Sequence, residues 1–85
     1  MPVGDVRAEI LEICTSIANT SLDSVVGARQ IWVRLAEASY PLELESFRVF
    51  VGMVSEIDDS PEHRDGYTTD IPEEARRVVV KHQPR

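Results

Sequence analysis

The chain has 85 residues, 42% of them apolar and 28% charged, with a formal net charge of −6. That length holds one domain with a small core and excludes two, and the composition is that of a globular chain, not a disordered one. Apolar runs are only a few residues long, too short to span a bilayer, and a surface this acidic repels the phosphates of nucleic acid.

The charge is unevenly spread. Residues 1–36 hold four acids and three bases, a balance of −1. Residues 37–74 hold eleven acids against two bases, or −9. Residues 75–85 hold four bases (Arg76, Arg77, Lys81, Arg85) and no acid, or +4. The N-terminus, MPVGDVRAEI, has no continuous apolar stretch, so no secretory leader is expected. The lone Cys14 can form no intramolecular disulfide, and a reducing, cytoplasmic setting is the expectation.

Val6, Ile10, Ile13 and Ile17 recur at helical spacing, with Leu11, Cys14 and Ala18 widening the stripe. This predicts a first helix over 5–18, with Asp5 as N-cap. A second helix is expected over 23–38 from Val25, Ala28, Trp32 and Leu35, with Arg29, Gln30, Arg34 and Glu37 on the other side. Gly27 sits inside it, about 1 kcal/mol worse than alanine; close approach of another helix would offset that. The short linker predicts an antiparallel hairpin. Ser39-Tyr40-Pro41 ends the second helix, because a residue before proline avoids the α region.

The segment LELESFRVFVGMVSEID admits two readings. Leu44, Phe47, Val51 and Val54 have helical spacing, whereas Val49, Val51 and Met53 alternate as in a strand. A helix over 43–57 is favoured by the acidic first turn, Glu43 and Glu45, and by the lack of any partner strand. Residues 58–70, with Pro61 and Gly66 among many acids, read as a surface loop. Asp70-Ile71-Pro72-Glu73 resembles a capping box, opening a fourth helix over 72–81 with Val78, Val79 and Val80 as its apolar face. The last residues, HQPR, should fray.

The acidic stretch raises three chemistries. A calcium loop needs oxygens at alternating positions and glycine at the sixth; counted from Asp58 the sixth is His63, and counted from Asp59 the third is Pro61. Zinc would require Cys and His ligands, and Cys14 lies on the apolar side of the first helix. For nucleophilic catalysis, Cys14 is in a core position, and Ser60 precedes a proline with no glycine-rich elbow. The triplet His63-Arg64-Asp65 echoes a kinase catalytic loop that 85 residues cannot house. No catalytic set, metal site or cofactor is therefore expected. What remains is docking. Glu56, Asp58, Asp59, Glu62 and Asp65 would supply field and charge-assisted hydrogen bonds to a basic protein, and Tyr67 an aromatic anchor.

Two resemblances bear on this. Gly27-Ala28-Arg29, with Phe50-Val51-Gly52-Met53-Val54-Ser55-Glu56-Ile57-Asp58 and Pro61, resembles the F-V-G/A-x-x-S-E-x-D-x-x-P pattern of a group of short bacterial proteins, which brings no established activity. Asp58-Asp59-Ser60-Pro61-Glu62 is similar to a stretch in the immunity proteins of colicin-type nucleases. Those are small acidic four-helix proteins that block a basic nuclease with carboxylates and tyrosines.

The expected fold is all-α: a single domain over 1–85, a small bundle of three to four helices with the first two an antiparallel hairpin. An acidic loop over about 58–70 and a frayed basic C-terminus complete it. The expected function is a non-enzymatic protein that binds a basic protein partner, for which a toxin is one candidate, with no role for nucleic acid or membrane. The alternative is a structural or regulatory subunit that forms a homodimer or complex through an apolar helix face.

Overall fold

The computed structural model describes residues 3–82. Four α-helices follow one another: α1 (Val3–Ala18), α2 (Ser24–Glu37), α3 (Arg48–Asp59) and α4 (Arg64–His82). Short 3-10 helices, Leu42–Phe47 and Pro61–His63, lead into α3 and α4. The described residues contain no strand, so the all-α expectation holds.

Side-chain contacts set the directions. Gly27 at the start of α2 lies against Ile17 at the end of α1, and Arg34 near the end of α2 pairs with Glu9 at 2.9 Å. The first two helices are thus an antiparallel hairpin. Arg29 pairs with Asp58, which runs α3 antiparallel to α2. His82 stacks on Phe47 with ring centroids 5.6 Å apart, while Tyr67 reaches Glu56, so α4 returns alongside α3. The result is an up-down-up-down bundle in which α4 packs most extensively on α1.

The core is one cluster. α1 contributes Val6, Ile10, Cys14 and Ile17, and α2 contributes Val25, Ala28, Ile31 and Leu35. Leu44, Phe47, Phe50, Val54 and Ile57 come from the third segment, and Ile71, Ala75 and Val78 from α4. Cys14 is buried, as its core position predicts, while Ile13 on the same stripe is half-buried. One inward position of α2 differs from the periodicity reading by one residue: Ile31 is buried where Trp32 is half-buried. An indole N–H needs a partner, which suits Trp32 to the core's edge; its Nε1 donates to the Tyr40 hydroxyl at 2.9 Å.

The helix ends have local causes. Asp5 is not the N-cap of α1; the helix begins at Val3 and Asp5 falls in its first turn, where its charge still favours the dipole. Asp23 caps α2, accepting from the backbone N–H groups of Val25 (3.1 Å) and Val26 (3.0 Å). Both α1 and α2 end in Schellman motifs. Ser21 N–H donates to the Ser16 carbonyl and Thr20 N–H to that of Ile17; Tyr40 and Ser39 do the same to Leu35 and Ala36. The left-handed position is filled by Thr20 (φ 63°) in one and Ser39 (φ 62°) in the other, where glycine would be unstrained.

The third segment is helical, as favoured, but in two pieces. Its 3-10 opening has a period near three, which carries Leu44 and Phe47 inward together and resets the phase of α3 to Phe50, Val54 and Ile57. Val51, expected on the stripe, is half-buried.

Residues 58–70 are not a loop. Only Ser60 (φ −140°, ψ 83°) leaves helical geometry between α3 and the 3-10 turn, and α4 begins at Arg64 and runs through Gly66 and Pro72. The Asp70–Glu73 box therefore caps nothing. Local preference opposes this: Arg64–Asp70, with its glycine, two threonines and two aspartates, is about 4 kcal/mol less helix-favouring than seven alanines. Pro72 also lacks the N–H that would bond the Thr68 carbonyl. Ala75 and Val78, buried in the core, fix the helix C-terminal to the proline, and the buried Ile71 anchors the residue just before it. Thr68 is exposed, so water can reach its freed carbonyl. Of the three valines expected as the apolar face, Val78 is buried and Val79 half-buried, but Val80 is 68% exposed. Of the HQPR tail, His82 belongs to α4, and residues 83–85 lie outside the described residues.

Candidate functional site

The acidic residues gather at the end of the bundle where α3 turns into α4. Asp58 and Asp59 lie in the last turn of α3, which carries no basic residue. Carboxylates there face the negative end of the helix dipole, an unfavourable placement in isolation. Glu62 lies in the 3-10 turn and Asp65 in the first turn of α4, where the dipole favours them.

These acids are in two different situations. Asp58 is already engaged: both its carboxylate oxygens accept from the Arg29 guanidinium, one of them at 3.0 Å. Those hydrogen bonds, aided by the Arg29 charge, hold the Asp58 carboxyl below its ordinary range and push Arg29 up. Asp59, Glu62 and Asp65 are exposed and form no ion pair with any described residue.

Tyr67 departs from the expectation of an exposed anchor. Its ring is half-buried against the core, and its hydroxyl donates to the Glu56 carboxylate. That hydrogen bond, then desolvation, then the charges of Glu56 and Asp70 push the phenol up. Tyr67 borders an open hollow lined also by Glu62, His63, Gly66 and Asp70.

Among the described residues, no three His, Cys, Asp or Glu side chains converge as metal ligands would. Cys14 is fully buried, and burial followed by the nearby Glu74 charge pushes its thiol up to about 12, so it is a thiol and not a nucleophile at neutral pH. His63, Arg64 and Asp65 are exposed side by side, and of the three His63 lines the open hollow beside Tyr67.

Two participants escaped the sequence reading. Arg29 enters the acidic end from another helix, 29 positions before Asp58, and no local pattern announces it. A second cluster joins Trp32, Tyr40 and Arg48, whose guanidinium lies 5.6 Å from the centre of the Tyr40 ring. The left-handed Ser39-Tyr40 pair after α2, which the sequence does not show, turns Tyr40 back over the helix end.

Comparisons with protein-family models, with curated proteins and with solved structures find no match to this chain. No helix among the described residues is long and apolar enough to cross a membrane.

Proposed function

We propose that this chain is a non-enzymatic binding protein that presents the α3–α4 end of its bundle to a basic protein, as immunity proteins and small inhibitors do. The observation that carries the reading is the exposed, unpaired set Asp59, Glu62 and Asp65. Asp59 in particular sits against a helix dipole of its own sign. A cationic partner relieves that repulsion, so the charge that is unfavourable in the free protein becomes favourable in the complex. Asp58 contributes field but is shared with Arg29, and Glu56 is shared with Tyr67. The direct contacts therefore fall chiefly to Asp59, Glu62 and Asp65.

The test is capture of basic proteins by the immobilised chain, followed by association kinetics with the captured partner. The triple variant Asp59→Lys, Glu62→Lys, Asp65→Lys should slow association at least tenfold at low salt and flatten its dependence on ionic strength. A partner that associates with the variant as fast as with the parent refutes the reading.

A second reading, a subunit that self-associates, has one observation in its favour. Val26 and Val33, one heptad apart on α2, are 46% and 52% exposed. Sedimentation over a concentration series checks it: a monomer at all concentrations removes it.

A further inference from the structure

We infer that Pro61–Asp70 is a strap that opens from the bundle as a unit while the rest of the fold stays intact, with Tyr67 as its latch and Ile71-Pro72 as its hinge. Every residue from Pro61 to Asp70 is exposed except Tyr67, so one ring supplies what apolar contact the segment has. Among the described residues, the Tyr67–Glu56 hydrogen bond is also the one hydrogen bond or ion pair that ties 61–70 to another element; that of Thr68 to the Asp65 carbonyl stays within the segment. The ends of the strap are well marked. Ser60 is out of helical geometry at one end, and the fully buried Ile71 stands before Pro72 at the other. Pro72 removes a rung of the helix at that joint, so helical order passes weakly from the anchored half of α4 to the strap. A segment with few buried contacts, poor propensity and a single hydrogen bond to another element opens locally before the domain unfolds.

The opening has a use at the site, a point that rests on the function proposed above. A cation that takes the Glu56 carboxylate competes with the Tyr67 hydroxyl, so docking and strap release draw on one group. The opening itself needs no partner and is tested on the free protein, so its failure and that of the docking reading are separate results.

Native-state hydrogen exchange of the full chain decides it. Amides Thr68–Ile71 should exchange at least about a hundredfold faster than Ala75–Val79, with a small urea dependence. Tyr67→Phe removes the tie from the closed state, and so should speed both groups by a similar factor, about fivefold. Ile10→Val, in the core on α1, should speed Ala75–Val79 by about fivefold and leave Thr68–Ile71 unchanged, since the strap opens with that core intact. Equal acceleration of both groups by Ile10→Val would show that the strap opens only with the whole domain. Unchanged Thr68–Ile71 rates in Tyr67→Phe would show that the latch holds nothing. Either result overturns the inference.

Discussion

Gly27 gives the sharpest test of how the bundle is built. A Cβ placed there would lie 2.6 Å from both Cγ1 and Cδ1 of Ile17 and 3.1 Å from Cδ2 of Leu22. Carbon atoms in contact sit at about 3.5–4.0 Å, so the overlap with Ile17 is roughly 1 Å. Ile17 is itself buried in the core, in the last full turn of α1, and has little room to move. Gly27→Ala gains about 1 kcal/mol of helix propensity and loses about 2–3 kcal/mol to overpacking. The net expectation is destabilisation by about 1–2 kcal/mol, a fall in Tm of roughly 4–16 °C for a domain of this size. Gly52 is the control. It lies exposed on α3 with nothing within 4 Å of a Cβ, so Gly52→Ala should raise stability by up to about 1 kcal/mol. Urea unfolding of the two variants, with Ile17→Val added to Gly27→Ala to test coupling, measures both signs. If Gly27→Ala stabilises as Gly52→Ala does, the close approach of α1 and α2 is not what requires glycine.

Thr20→Gly and Ser39→Gly should each leave stability unchanged or raise it by up to about 1 kcal/mol. Relief of about 1–2 kcal/mol of left-handed strain outweighs the added unfolded-state entropy of glycine, and urea midpoints read the difference. The Asp58 carboxyl is held below its unfolded value by Arg29, so the pair stabilises the fold above about pH 4. That contribution is lost as pH falls through the folded value. Stability curves of the parent and Arg29→Gln should therefore be separated near neutrality and converge in acid; separation that persists in acid contradicts the pairing. Cys14, pushed up to about 12 and fully buried, should resist iodoacetamide in the native state at pH 8 and react at a rate that follows unfolding. Rapid labelling without urea would show that the α1 core position is open.

The acidic end was partly legible and partly not. Five carboxylates within ten residues are plain in the sequence, and Asp59, Glu62 and Asp65 stand exposed as a charge run ordinarily does. The pairing state of the others was not legible. Asp58 meets Arg29 only because α2 and α3 pack antiparallel, and Tyr67 reaches Glu56 only because Arg64–Asp70 is helical. Glycine, proline and acids argue locally for a loop over 58–70, and they do lower helix propensity there. In the closed fold they are outweighed by tertiary packing: Tyr67 lays its ring against the core, and Ile71, Ala75 and Val78 of the same helix are buried in it.

Sequence alone determined the helical class, the two-helix hairpin and the acid-rich stretch between the third and fourth helices, because apolar spacing and linker length depend on neighbours a few residues away. Tertiary structure alone decided which of two adjacent residues turns inward, as with Ile31 over Trp32. It also decided which acids are paired and which are not among the described residues. An apolar stripe is wide enough to seat a neighbouring helix in more than one rotation, and an ion pair between helices exists only once that rotation is chosen.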